Sequence, residues 1–363
     1  MSGTSAPSDG NEVNKLTTYL AERERAGGRF VTDAMLDLFA ARGVATSVLL
    51  RGIASFGPRN IVRTDESLSL SEDLPVTIAA VDTPEVIGAL MDDVVALIGR
   101  GLLTLERARL VDGEFPVVDG GDAVRMTLYV GRQQRAGGVA AHVAACDVFH
   151  RLGFAGAIVY LGVDGTVGGQ RRKARFLSRN VDVPVMVLTV GTVAQAESAA
   201  AELTRLIPDP LLAVERIRVC KRAGQLFDRP HAFPAADADG LHLFQKLTVF
   251  TDEDARHDGQ PIHRALVRRL RESHQASGAT VLRGLWGFSD ERPPHGDRMF
   301  RLGRSVPVAT ILVDTPAAIA HSFDIVDELT AEHGLVTSEM VPAMLAIDGG
   351  NRRGGTRLAW HRY

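Results

Sequence analysis

Two cysteines in 363 residues, Cys146 and Cys220, are all the thiol chemistry this chain has, and neither belongs to a C-x-x-C pair. That excludes a disulfide framework and a thiolate metal site, and leaves two reduced, structural thiols as the expectation. Lysine is almost as scarce, with four lysines against 37 arginines. The imbalance is read as GC-rich coding and given no functional weight. No apolar run reaches the roughly 18 residues that a membrane span needs. The stretch Met1–Asn14 is polar and Ser/Gly-rich and lacks the apolar core of a signal peptide, so a disordered lead-in and a cytoplasmic protein are expected. Basic surplus is missing too: the net charge is −3, which excludes nucleic acid as the main partner.

Catalytic signatures are equally sparse. There is no G-x-x-x-x-G-K-[ST]. Gly162-x-x-Gly165-x-x-Gly168 follows a strand pattern without being G-x-G-x-x-G, and reads as a loop. The eleven histidines are scattered; His257 and His263 fall six apart, off a common helix face. The acidic run Asp252-Glu253-Asp254 reads as a solvated loop ahead of a weak cation site. No Ser/His/Asp set has triad context. The expectation is a protein without catalytic activity, metal or cofactor.

What the chain does have is repetition. A small-residue step ends an apolar run at Gly52, Gly162 and Gly284. A proline opens another run at Pro75, Pro184 and Pro307, and a glutamate closes each repeat at Glu106, Glu215 and Glu339. The offsets are 110, 109 and 109 between the first two copies and 122, 123 and 124 between the second and third. Such agreement across three features marks one module of about 100 residues written three times.

Each copy opens with a β-rich run: Leu16–Leu20, Met126–Val130 and Leu247–Phe250. Helical spacing follows at Val31, Ala34, Met35 and Leu38, and at Ile262, Ala265, Leu266 and Leu270. A second strand follows at Val48, Ile158 and Val281. A third follows each proline. Thr83-Pro84 and Thr315-Pro316 predict helix starts, with threonine as N-cap and proline at the first helical position. Copy two keeps Thr192 but has Val193 where the proline would be. A last strand carries the glutamate.

The order is βαββαβ, the ferredoxin-like unit, so the predicted fold class is α+β. Two helices cover one sheet face, and the other must be buried elsewhere. Apolar residues such as Val76, Ile78, Ile311 and Val313 are assigned to that second face. Three such sheets facing a common axis would bury one another, giving an intramolecular pseudo-trimer in a monomeric chain. The predicted organisation is a lead 1–14, modules 15–111, 124–220 and 242–348, and a basic flexible tail 349–363. Linkers rich in Gly, Pro and Asp lie between the modules.

The string of residues 278–288, Gly-Ala-Thr-Val-Leu-Arg-Gly-Leu-Trp-Gly-Phe, resembles the signature of domain-of-unknown-function family 190, whose members look like PII signalling proteins. So do Leu70–Val76 and Gly334–Glu339, and the opening Thr251–Pro261 is similar. The resemblance covers most of copies one and three; copy two fits by position more than by motif. It implies ferredoxin-like modules with adenine-nucleotide sites, for ATP, ADP, AMP or cyclic AMP, in the clefts between neighbours.

In PII-like folds the loop after the second strand and the turn before the last strand face the phosphates. Glycine-rich turns expose N–H groups to anions, and an arginine adds a bidentate donor. The candidates are Arg51, Gly52, Gly57, Gly99, Arg100 and Gly101 in copy one, and Arg283, Gly284, Gly287 and Gly334 in copy three. Copy two has Leu161 in place of the arginine and Ile207-Pro208-Asp209-Pro210 in place of the glycine turn. Proline removes a donor and aspartate repels phosphate, so the weakest site is expected there.

The loops 54–68, 163–175 and 285–299 correspond to the long PII loop and differ freely, which suits contact with a regulated partner such as a membrane transporter or an enzyme. The basic run from Arg171 to Arg175 would suit an acidic partner or simply water. Two readings stay open: a nucleotide-binding regulator, and an interaction scaffold without ligand. A hydrolase or metal-binding protein ranks below both.

Overall fold

The computed structural model describes residues 11–58, 61–65, 73–112, 115–116, 123–173, 183–289, 294–296 and 306–362. Most of the lead-in and parts of all three long loops, including Arg175 and Arg292–Pro293, lie outside the described residues.

Three repeats of strand, helix, strand, strand, helix, strand are present. Module 1 has β1 (Glu12–Ala21), α1 (Val31–Ala41), β2 (Thr46–Phe56), β3 (Pro75–Asp82), α2 (Pro84–Leu97) and β4 (Arg100–Leu110). Module 2 has β5 (Ala123–Gly131), α3 (Ala141–Arg151), β6 (Gly156–Leu161) with β7 (Asp164–Val167), β8 (Pro184–Thr192), α4 (Val193–Leu206) and β9 (Leu211–Arg222). Module 3 has β10 (Phe244–Asp252), α5 (Ile262–Ser273), β11 (Ala279–Arg283) with β12 (Trp286–Ser289), β13 (Pro307–Asp314), α6 (Pro316–Leu329) and β14 (Leu335–Val341). It continues into β15 (Ala343–Asp348) and β16 (Asn351–Gly354). Among the described residues, twenty strands join one large antiparallel sheet and there are six helices.

Within each module the first strand lies between the third and the last. β1 pairs β3 on one side and β4 on the other, β5 pairs β8 and β9, and β10 pairs β13 and β14. The helix starts follow local chemistry. Thr83 and Thr315 accept from the backbone N–H groups of Val86 and Ala318, each ahead of a first-turn proline. Thr192, without a proline, is held by a reciprocal capping box with Gln195.

Each module packs its helices on one sheet face, around Phe39 and Leu90 in module 1, Phe149 and Leu203 in module 2, and Leu266 and Phe323 in module 3. A further apolar cluster gathers the opposite faces of all three, with Val48, Ala79 and Val81 against Tyr129, Ile158 and Tyr160 and against Leu282 and Ala309. The assignment of faces needs one correction. Ile311 packs on the shared cluster and Val313 lies beside it, but Val76 and Ile78 point to their own helices. The positions of module 1 matching Ile311 and Val313, counted from the strand-opening prolines, are Ala79 and Val81. A strand alternates faces, so an odd offset between copies inverts the assignment.

The C-terminal segment is docked along its length. β16 pairs β15, the N–H of Gly355 donates to the Met344 carbonyl at 2.9 Å, and Ala359 is fully buried with its N–H on the Pro342 carbonyl. Among the described residues no helix is long and apolar enough to cross a membrane.

Candidate functional site

Second strands run past the end of their own module and pair with the next. Ala54–Phe56 of β2 pairs β11 of module 3, β12 pairs β6 of module 2, and β7 pairs the start of β2. Last strands do the same in the opposite sense: β15 pairs β4, the end of β4 pairs β9, and the end of β9 pairs β14. Every interface is therefore closed by two backbone ladders. Glycine is required where they cross: a Cβ on Gly165 would lie 2.0 Å from the Ser47 carbonyl oxygen, and one on Gly287 2.1 Å from that of Ala157.

The interface between modules 1 and 3 encloses a cavity of about 600 Å³. Tyr19, Phe56, Ile61 and Met344 are among its apolar lining, and Arg63, Arg100, Arg352, Arg353, Glu24 and Asp348 are its charged lining. Arg100 donates from Nε to Asp348 at 2.7 Å. Arg353 bonds Ser277 Oγ at 3.0 Å and Asp314 at 3.2 Å. Arg63 and Arg352 make no ion pair among the described residues.

The cavity between modules 2 and 3 is smaller, about 310 Å³, and its charge is reversed, with Asp252 and Asp254 against Arg256 and His333. Asp252 accepts the Ser289 hydroxyl at 2.8 Å and Arg283 lies 3.4 Å from Glu253, so two carboxylates of the acidic run serve internal contacts. No group of three or more His, Cys, Asp or Glu poised for a metal occurs among the described residues. Both cysteines are buried, and burial pushes the Cys220 thiol up to about 12.

At the interface of modules 1 and 2, Gly168 and Gly169 turn β7 tightly back on itself, and Gly169 lies against Gly43. This hairpin carries Arg171 onto module 1, where it bonds Asp33 at 2.7 Å, Asp37, and the buried Asp164 of the hairpin's other arm at 2.6 Å. Lys173 adds a pair to Asp33 at 2.9 Å. The acids that meet this basic run belong to the same chain. Salt-bridged hydrogen bonds from Lys173 and Arg171 hold Asp33 below the usual carboxylate range.

Of the ten candidates, Gly57, Arg100 and Gly101 line the cavity of modules 1 and 3, and Gly334 lines that of modules 2 and 3. Arg51 lies outside and pairs with Glu22 at 2.7 Å, as Arg283 does with Glu253 at the equivalent position. Gly52, Gly284 and Gly287 sit where strands of different modules approach, and Gly99 lies against the Glu24 carboxylate.

The three landmark glutamates form a site that their sequence role did not disclose. Lys15, Arg125 and Lys246 stand directly opposite Glu106, Glu215 and Glu339 on the neighbouring strand of each module. All six side chains converge and are nearly or fully buried. Lys15 lies 3.1 Å from Glu106 and bonds Glu215; Lys246 lies 2.8 Å from Glu339 and bonds Glu106. Arg125 reaches all three, at 3.4 Å from Glu106, 2.9 Å from Glu215 and in contact with Glu339. Three cations cancel three carboxylates. Burial opposes the charged form of Glu215, but Arg125 and Lys15 override it and hold its carboxyl at about 2. One signal was available: each cation immediately precedes the opening run of its module.

A family model matches the chain three times, over residues 13–110, 123–219 and 244–343; its description is Uncharacterized ACR, domain-of-unknown-function family 190. A UPF0166 protein of Aquifex aeolicus (strain VF5) is 31% identical over 96 residues, 26% of this chain and 88% of that protein, which is thus about as long as one module. Among solved structures, an aspartate kinase from Synechocystis aligns over 94% of this chain and 45% of its own at 11% identity and a TM-score of 0.22. This chain spans under half the length of that kinase. An anthrone oxidase-like protein aligns over 57% of this chain and 92% of its own at 9% identity and a TM-score of 0.17. The three matches take in most of the sequence, and the chain belongs to domain-of-unknown-function family 190, three modules over.

Proposed function

We propose that the chain is a PII-like regulator, an intramolecular pseudo-trimer of ferredoxin-like modules that binds an adenine nucleotide between modules 1 and 3. The observation that carries this reading is the cavity of about 600 Å³, whose lining combines four arginines and two carboxylates with apolar side chains. Apolar side chains suit a base and clustered guanidinium groups suit phosphates. Gly57, Arg100 and Gly101 belong to this site. Arg51 and Arg283 join a site only by leaving Glu22 and Glu253. Ligand binding would act on the hairpin after β2, which lends Ile61 and Arg63 to the cavity wall, and through it on a partner protein such as a transporter or an enzyme. The role is regulatory, without catalysis, and its setting is the cytoplasm.

Isothermal titration of the full chain with ATP, ADP, AMP and cyclic AMP tests the reading. Binding that Arg100→Ala weakens and Arg51→Ala leaves alone supports it. No heat and no thermal shift at millimolar nucleotide sinks it, and release of phosphate from ATP would replace it with an enzyme.

The alternative of a scaffold without ligand draws on the interface of modules 1 and 2, where Arg171 and its hairpin tie the modules together through protein contacts. That interface is assigned to holding the modules together in either reading.

A further inference from the structure

The third family match ends at residue 343, and the hairpin of β15 and β16 runs beyond it. β15 lies beside β4 of module 1, with Ile347 opposite Gly101, and β16 folds back so that Arg352 stands opposite Ile347. The turn and its end are fixed by backbone geometry. Gly354 has φ of +86°, and a Cβ there would lie 1.9 Å from the Met344 carbonyl oxygen. Arg353 anchors the strand to Ser277 and Asp314 of module 3. Arg352 beside it has no such anchor among the described residues and lines the cavity.

Module 2 ends in a similar hairpin. Gln225 and Leu226 fold back on β9, with Leu226 opposite Lys221 and Gln225 opposite Arg222. In module 3 the pairs next to the turn are Arg352 with Ile347 and Asn351 with Asp348. Against the neighbouring module the two turns are out of step: Ile347 stands opposite Gly101, whereas the residue bonded to Gly334 is Ala223, already in the turn of module 2. That hairpin therefore folds back before the position of Arg352, and the cavity between modules 2 and 3 is lined by two aspartates and by no described residue of the hairpin. The cation added by the C-terminal strand is a property of one cleft.

The geometry points to this strand as the element that makes the cleft of modules 1 and 3 selective for a polyanion, a ligand with two or more linked phosphates. Arg352 from module 3 and Arg63 from module 1 supply the selecting charges. Arg100 and Arg353 are already neutralised by Asp348 and Asp314. A single phosphate shares Arg100 with Asp348; a longer chain of phosphates uses the two remaining guanidinium groups. This rests on the reading of the cleft as an anion site.

The test is titration of the full chain with ATP, AMP and inorganic triphosphate, for the wild type and for Arg352→Ala, Arg352→Lys, Arg63→Ala and Arg100→Ala. Arg352 is exposed, so its variants should keep the wild-type melting temperature. Loss of one charge-assisted contact should weaken ATP and inorganic triphosphate by roughly tenfold or more, and AMP by less than about threefold. Arg352→Lys should regain part of the loss. Equal affinity of the wild type for ATP and AMP overturns the inference. So does ATP binding that Arg352→Ala and Arg63→Ala leave unchanged while Arg100→Ala weakens it, and in that case the cleft reading stands. If the wild type binds none of the three probes, the cleft reading falls and the inference with it.

Discussion

Arg125 of the second module donates to Glu339 of the third, 214 residues further along the chain, at the centre of a buried knot of six charges. It is the member of the knot in contact with carboxylates from all three modules, and the two lysines each reach two. The guanidinium explains the difference, because its planar fork offers five donors where an ammonium offers three.

Arg125→Met should therefore be the most damaging of the three cation substitutions. It leaves three buried carboxylates sharing two lysines, and removing one partner of a buried pair costs about 3–5 kcal/mol. Urea denaturation checks this. A loss below about 1 kcal/mol would show that the knot is dispensable.

Acid should act first through a histidine. His263 is buried at the start of α5 and its Nδ1 has no hydrogen-bond partner among the described residues. Burial, helped by the charge of Arg264, lowers its pKa to about 4. The folded state keeps it neutral while the unfolded chain binds a proton below about pH 6.5, so its contribution is complete above pH 6.5 and is lost as the pH falls toward 4. The drop amounts to about 3 kcal/mol, and His263→Phe should flatten the stability curve over that window. The knot acts lower: Glu215 stabilises the fold above about pH 4.5, and that contribution fades as the pH falls toward 2.

Arg171→Ala should loosen one interface. Asp164 is buried and would lose its guanidinium partner while keeping a bond from the Gly165 N–H. The expected cost is about 1–3 kcal/mol. Amide exchange should rise in α1 and β7 and stay unchanged at the interface of modules 2 and 3. Uniform protection in the variant would contradict the latch.

Gly165→Val tests the crossing ladders. Its side chain would collide with the Ser47 carbonyl and with the Pro184 ring 2.7 Å away. Backbone cannot yield as a flexible side chain does, so a loss of about 3 kcal/mol or more is expected by thermal melting. Gly57→Val, with open space around its Cβ position, should cost far less.

Much of the module was legible from local chemistry. Thr83, Thr192 and Thr315 cap helices because an N-cap needs only its own next turn, and the prolines open strands where no ladder donor is missed. The faces of the third strands were legible in module 3 and inverted in module 1, where the comparison of Val76 with Ile311 skipped an odd number of residues. The glutamates were visible as landmarks, but their partners were not, because a charge in a strand ordinarily points to water. The scarcity of lysine carries no local signal, yet Lys15 and Lys246 sit in the knot, Lys173 pairs with Asp33, and Lys221 is buried against Asp327 at 2.5 Å. Of the residues lining the cleft of modules 1 and 3, Gly57, Arg100 and Gly101 stood out in the sequence. Arg63 and Arg352 did not, because one lies in a variable loop and the other in a tail read as loose.

The sequence by itself determined the threefold repetition, the order of strands and helices, and the helix starts, because each depends on residues within a few positions of one another. Only the tertiary structure decided which charges meet in the knot, which interface Arg171 latches, and which cleft gains a cation from the C-terminal strand. Those outcomes depend on strands that leave one module to pair with the next. Register across such a gap is set by three surfaces burying one another, which no local pattern encodes.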